Sequence, residues 1–177
     1  MIINFNEIHK LAVEARKEED NIDRLIKAND IDILEKPMGT RSGSCKGFCV
    51  IVSRCAVMGI NSDCSSRVQQ AVKLHETGHF YVPSTTKGIR RYHDFDVYGN
   101  YETDRDEMCA NIWSAEYQLP DEEVEPMLNG DYGFFEAARR LGVSPEVLDF
   151  KFRSMKARGY SVNCPIYTNR SFMKKLL

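Results

Sequence analysis

The segment H-E-T-G-H at residues 75–79 constrains the fold of this chain more than any other feature. Its two histidines are four residues apart and therefore share one face of an α-helix. Val68 and Val72 extend the same stripe backwards, so the histidine face points towards an apolar core. The sequence therefore predicts a helix over about residues 64–81 that is buried along this face.

Two imidazoles on one helical turn can bind a single Zn²⁺ ion, and a glutamate beside them can act as a general base. His75 and His79 are the candidate ligands, and Glu76 is the candidate base. Zinc lowers the pKa of water from about 15.7 towards 7 and polarises a carbonyl group, which favours peptide hydrolysis. The alternative is a surface helix with two solvated histidines, and the valine stripe counts against it.

A catalytic zinc ion usually has three protein ligands. The metzincin pattern would place glycine at 82 and histidine at 85, but the chain has Val82 and Thr85, so that pattern is excluded. The carboxylate candidates for the third ligand, on the next predicted helix, are Asp104, Asp106 and Glu107. Asn111 could hydrogen-bond a metal ligand one turn before it, which favours Glu107. Glu107 also has a structural explanation, because it fits a helix capping box.

The H-E-T-G-H segment is followed, at residues 107–120, by E-M-C-A-N-I-W-S-A-E-Y-Q-L-P. Together the two segments resemble the ImmA/IrrE family of metallopeptidases, which pairs an H-E-x-G-H helix with an E-x-x-A-N-x-F-A-x-x-L-L-x-P helix. The resemblance covers about residues 47–158, and substitutions such as Trp113 for phenylalanine mark a divergent member. It implies that His75, His79 and Glu107 bind zinc and that Glu76 is the general base.

The resemblance also implies a partner. Members of this family are typically encoded near mobile elements or stress regulators and cleave repressor proteins, so the expected substrate is a transcriptional repressor. The formal net charge of −2 does not favour direct nucleic-acid binding by the whole chain. The sequence lacks an 18-residue apolar run, and its first twenty residues become acidic where a signal peptide would be apolar. We therefore expect a cytoplasmic protein without a membrane partner.

The pattern of helices and strands predicts an α+β fold, with a small, mostly antiparallel sheet beside a helical core that carries the zinc site. We expect one zincin-like domain over residues 1–164 and a loose basic tail over residues 165–177. A helix is predicted from Phe5 to about Lys27, and a hairpin from the apolar runs at residues 48–53 and 55–60. The six cysteines lack a usual zinc spacing, so we expect free thiols.

Two other functions compete with the peptidase. Residues 132–158 could form a basic helix-turn-helix that binds DNA, although S-P-E at residues 144–146 is a poor start for a recognition helix. We expect this pair of helices to be structural, with its basic face solvated. The chain could instead capture a regulator without cutting it. In the segment at residues 82–101, His93 or a tyrosine could stabilise an oxyanion, a role that the sequence leaves open.

Overall fold

The computed structural model describes residues 3–52, 55–82 and 105–163. The chain divides into two compact units, the first ending at Tyr117 and the second beginning at Gln118. The single domain over residues 1–164 stays a prediction. The predicted tail and the candidate oxyanion residues lie outside the described residues, as does Asp104. No helix in the described ranges is both long and apolar enough to cross a membrane.

The fold is α+β, as the sequence predicted, and the first unit carries the sheet. In chain order its elements are α1 (Phe5–Glu18), α2 (Ile22–Ala28), β1 (Ile31–Lys36), β2 (Gly47–Val52), β3 (Cys55–Asn61), α3 (Ser66–Tyr81) and α4 (Arg105–Gln118), whose last residue begins the second unit.

The three strands form one sheet in the order β1-β3-β2. Strands β2 and β3 pair antiparallel, which confirms the predicted hairpin. Strand β1 pairs with β3 in parallel, so the sheet is mixed rather than mostly antiparallel. The difference arises because β1 lies beside β3, the second strand of the hairpin, and runs in the same direction as β3. Gly59 lies opposite Phe48, whose ring occupies the space that a Cβ at residue 59 would need.

The single helix predicted from Phe5 to Lys27 is wrong, because the chain breaks between α1 and α2. Glu19 is extended, with φ −155° and ψ 123°. Asn21 then starts α2, since its side-chain oxygen accepts hydrogen bonds from the backbone N–H groups of Asp23 at 3.0 Å and Arg24 at 3.2 Å. A polar cap inside an apolar pattern therefore divides one predicted helix into two.

The N-terminal cap of α3 is Ser65, whose side chain accepts from the backbone N–H of Val68. Asn61 has a different structural role. It is fully buried at the end of β3, and its amide nitrogen donates to the carbonyl oxygens of Gly39 at 2.7 Å and Cys45 at 2.8 Å. Its amide oxygen accepts from the backbone N–H groups of Met38 and Asp63, each at 3.0 Å. One side chain thus holds the loop between β1 and β2 against the start of the α3 region.

The second unit contains α5 (Asp121–Asn129), α6 (Phe134–Arg140) and α7 (Pro145–Ala157). Ser144 caps α7 and Pro145 is its first residue. Pro120 occupies the N-terminal cap position of α5. The buried core of the unit consists of Leu119, Val124, Leu128, Phe134, Ala137, Ala138, Leu148, Met155 and Val162.

Candidate metal centre

Three side chains from two helices of the first unit converge at one point. His75 and His79 extend from α3, and Glu107 from the first turn of α4. The Nε2 atoms of the two histidines are 3.1 Å apart. The Glu107 carboxylate lies 3.0 Å from Nε2 of His75 through Oε2, and 3.1 Å from Nε2 of His79 through Oε1. The three residues form a group that could hold a metal ion.

Asn111 determines which nitrogen of His75 faces this point. Its side-chain oxygen lies 2.9 Å from Nδ1 of His75. An amide oxygen can only accept, so Nδ1 carries the hydrogen and donates it. In the neutral ring, Nε2 then presents a lone pair towards His79 and Glu107. Asn111 lies one helical turn after Glu107, so α4 supplies both the carboxylate and the residue that orients the histidine.

Burial and charge keep these groups in the protonation states that a metal ligand needs. Burial lowers the pKa of His79 and the nearby His75 lowers it further, although the Glu107 carboxylate opposes both effects. Burial would by itself raise the pKa of Glu107, but its close contacts with His75 and His79 bring that pKa well below its usual range. A neutral imidazole and an ionised carboxylate can both donate electron pairs to a cation.

The donor set fits zinc. Two imidazole nitrogens and one carboxylate are a ligand set of catalytic zinc sites, which keep a fourth position open. Bonds of about 2.0–2.1 Å at tetrahedral angles place ligand atoms roughly 3.3–3.4 Å apart, close to the 3.0–3.1 Å found here. A lone pair and a carboxylate this close repel each other unless a proton or a metal cation lies between them. Both histidines are buried, whereas the Glu107 side chain is 26% exposed, so the group reaches solvent at Glu107.

Gly78 allows the two helices to approach. A Cβ atom on Gly78 would lie 2.6 Å from the carbonyl oxygen of Ala110 and 3.0 Å from its Cα, both backbone atoms of α4. The space that Gly78 leaves is therefore occupied by the backbone of α4. The small residue therefore acts on helix packing, and through it on the distance between the histidines and Glu107.

The model of the IrrE N-terminal-like domain family (Peptidase_M78) matches residues 26–153, which include both helices of the site. The chain belongs to this family. Membership confirms the predicted ImmA/IrrE resemblance and supports a metallopeptidase-type function. No curated protein matches the chain closely enough to count as a relative.

Among the described residues, the other candidates are not part of the group formed by His75, His79 and Glu107. Glu76, the candidate general base, directly follows His75 in α3 and is fully buried. Asp106 is not in the three-residue group, although its charge raises the pKa of His79. No disulfide joins the cysteines that the structure describes, and within the described ranges no cysteine belongs to a metal-binding group.

Sequence reasoning missed an aromatic stack that ties the two site helices together. The ring of Trp113 on α4 lies between Tyr81, the last residue of α3, and Tyr117, with centroid distances of 5.0 and 5.1 Å and interplanar angles of 14°. The Tyr81 hydroxyl accepts from the Asn29 amide at 2.8 Å, and the Tyr117 hydroxyl donates to the Glu19 carbonyl at 2.8 Å. The spacing of Trp113 and Tyr117 on one helix face was visible in the sequence, but their partner on α3 was not.

Proposed function

We propose that the chain is a zinc-dependent endopeptidase that cleaves a DNA-binding repressor or a similar regulator. The observation that carries the proposal is the convergence of His75, His79 and Glu107 within 3.0–3.1 Å, with Asn111 directing the lone pair of His75 towards the other two. Family membership supports the peptidase class. The repressor as substrate follows from the resemblance to the ImmA/IrrE family.

Each residue has a distinct role in this proposal. His75, His79 and Glu107 hold the zinc ion, and Asn111 orients His75. Bound zinc supplies Lewis acidity, which polarises the peptide carbonyl and lowers the pKa of water. Glu76 accepts the proton of the attacking water and later donates it to the departing amine. Glu76 is fully buried, and burial of the base keeps bulk water away from this proton transfer.

Metal content tests the ligand assignment. We expect about one zinc ion per chain in protein purified without chelators, measured by elemental analysis. Glu107→Ala should lose the metal, because it removes one of three ligands. Glu122→Ala, at an exposed position on α5, is the matched control and should retain it. A wild-type protein without stoichiometric metal, or a Glu107→Ala variant that retains it, would overturn the assignment.

Glu76→Gln separates the peptidase from a module that captures a regulator without cutting it. The substitution keeps the shape of the side chain and all three ligands but removes the base. Zinc should stay bound, and cleavage should fall by at least about 10²–10⁴. The assay uses repressors encoded near the gene, incubated with either protein and analysed by mass spectrometry. If both proteins relieve repression equally and the repressor stays uncut, the capture module is the correct function.

The contacts of the second unit support a structural role for its basic residues, not DNA binding. Arg139 and Arg140 both pair with Glu136, and Arg153 pairs with Asp149. Two of the basic residues are not solvated as expected, because Lys151 is buried, the side chain of Arg158 is only 5% exposed, and both bond Asp121. Most of the positive charge is therefore already balanced by carboxylates. Salt-sensitive binding of the purified protein to a specific DNA sequence would contradict this role.

A further inference from the structure

Strand β1 forms one edge of the sheet, and in the described part of the chain no strand pairs with its outer side. Two large apolar side chains are exposed next to each other on this strand, Ile33 at 37% and Leu34 at 44%. Helix α2 packs against β1, of which only Ile31 is buried, and α3 packs against β2 at the opposite edge. An exposed edge with apolar side chains is a template for another strand.

The direction of the backbone groups on β1 follows from one hydrogen bond. The carbonyl oxygen of Lys36 accepts from the N–H of Ser62, which directly follows β3, at 2.9 Å. The backbone groups of Lys36 therefore face β3. In an extended strand this direction alternates from residue to residue, so the N–H and C=O groups of Ile33 and Glu35 face outwards. These are the groups that a further strand would bond.

We propose that the outer edge of β1 binds the same edge of a second copy of this chain, antiparallel, with the two-fold axis at Leu34. In this register Leu34 lies opposite the partner's Leu34, and Asp32 lies opposite the partner's Lys36. Ile33 and the partner's Glu35 exchange backbone hydrogen bonds through the groups that face outwards. The result is a continuous six-stranded sheet across the dimer.

Charge and side-chain packing select this register. Leu34 and the Asp32–Lys36 pairs fall on non-hydrogen-bonded positions, where facing Cα atoms are only about 4.5 Å apart and side chains are in close contact. Opposite charges on such positions attract, and like charges repel. The backbone allows a two-fold axis at Ile33 or Glu35 as well. An axis at Glu35 would place the two Glu35 carboxylates opposite each other, and one at Ile33 would place Asp32 opposite the partner's Leu34 and lose both charge pairs. Pro37, which has no N–H, ends the ladder directly after Lys36.

The same charges identify the occupant as a second copy rather than a peptide of another sequence. Asp32 and Lys36 are exposed, and they are placed symmetrically about Leu34. When two copies of this strand run antiparallel, each of these charges faces the opposite charge on the partner, as a two-fold interface requires. The inference does not depend on the zinc site, which lies on α3 and α4.

Charge swaps on the full-length protein test the proposal by sedimentation velocity over a range of concentrations. The wild type should dimerise reversibly. Asp32→Lys and Lys36→Asp should each weaken the dimer by about tenfold or more, because each places like charges at two positions. An equimolar mixture of the two variants should dimerise again, since one copy then carries two lysines and the other two aspartates. The double variant should also dimerise, because the swap restores both attractive pairs.

Cross-linking gives a second measurement that does not depend on charge. Leu34→Cys should form a disulfide-linked dimer on oxidation with diamide, because the two thiols face each other. Ile33→Cys, which retains the same native cysteines, is the control. It should not form this disulfide-linked dimer, since residue 33 lies opposite the partner's Glu35. The proposal is wrong if the wild type stays monomeric up to about 1 mM, if neither single swap weakens the dimer, or if the mixture stays monomeric while each variant remains folded by circular dichroism.

Discussion

Asn111 on α4 accepts a hydrogen bond from Nδ1 of His75 on α3 at 2.9 Å, and this contact links the two halves of the candidate metal centre. The bond fixes the tautomer of His75 and the plane of its ring. The same turn of α4 carries Glu107, so the carboxylate and the orienting amide move together. The position of α4 relative to α3 therefore determines both the ligand set and its protonation.

Replacement of Asn111 should weaken metal binding without removing a ligand. In Asn111→Ala, Nδ1 of His75 loses its acceptor, so the ring can rotate and the other tautomer becomes accessible. We expect zinc affinity to fall by about 10–100-fold, measured by competition with a chromophoric chelator. Asn111→Asp keeps an oxygen acceptor at the same position and should retain most of the affinity. Equal affinities in wild type and Asn111→Ala would show that the contact does not orient the ligand.

Gly78→Ala should separate the site helices. The new methyl group would lie 2.6 Å from a backbone oxygen of α4, and backbone cannot move aside as a flexible side chain can. We expect a loss of about 1–3 kcal/mol in the free energy of unfolding of the first unit, together with weaker zinc binding. Fluorescence of Trp113, the single tryptophan, reports on this unit. Gly133→Ala is the control, because an added Cβ there has no neighbour within 4 Å.

The sequence predicted the helix that carries His75 and His79, and the hairpin, because local patterns specify both. A four-residue histidine spacing and two short apolar runs need no information from elsewhere in the chain. The partner of β1 was not predictable in this way, since the choice between the two hairpin strands depends on the path of a ten-residue loop. The role of Asn61 was missed for the same reason: its four bonds reach backbone groups as far as 23 residues away. A short polar residue before a helix looks like a cap until those groups are located.

Asn61→Ala should release the loop between β1 and β2. The substitution removes all four hydrogen bonds of a fully buried amide, and each buried backbone group left unpaired costs about 1–3 kcal/mol. Hydrogen exchange should show faster exchange of the Met38 amide, which donates to Asn61. Asn29→Ala, which removes a polar contact to Tyr81, is a comparison that should leave this amide protected. Unchanged protection of Met38 in Asn61→Ala would contradict the role of Asn61.

Acid should destabilise the second unit through Asp121. Burial would raise the pKa of this carboxyl, but hydrogen bonds from Arg158 and Lys151 lower it well below its usual range. The pKa of this carboxyl is lower in the folded chain than in the unfolded chain, where it is about 3.9. Such a carboxyl stabilises the fold at pH values above about 3.9, and this contribution is lost as the pH falls below that value. The free energy of unfolding should therefore decrease between about pH 5 and pH 2.

Asp121→Asn tests this dependence, because the amide keeps the shape but does not titrate. At neutral pH the variant should be less stable by about 3 kcal/mol, as is usual when one member of a buried ion pair is removed. Between pH 5 and pH 2 its stability should fall less steeply than that of the wild type. Hydrogen exchange of amides in the core of α7, such as those of Leu148 and Met155, measures the stability of this unit. Glu122→Gln, an exposed neighbour, should keep the wild-type slope, and an equal slope in Asp121→Asn would exclude Asp121 as its source.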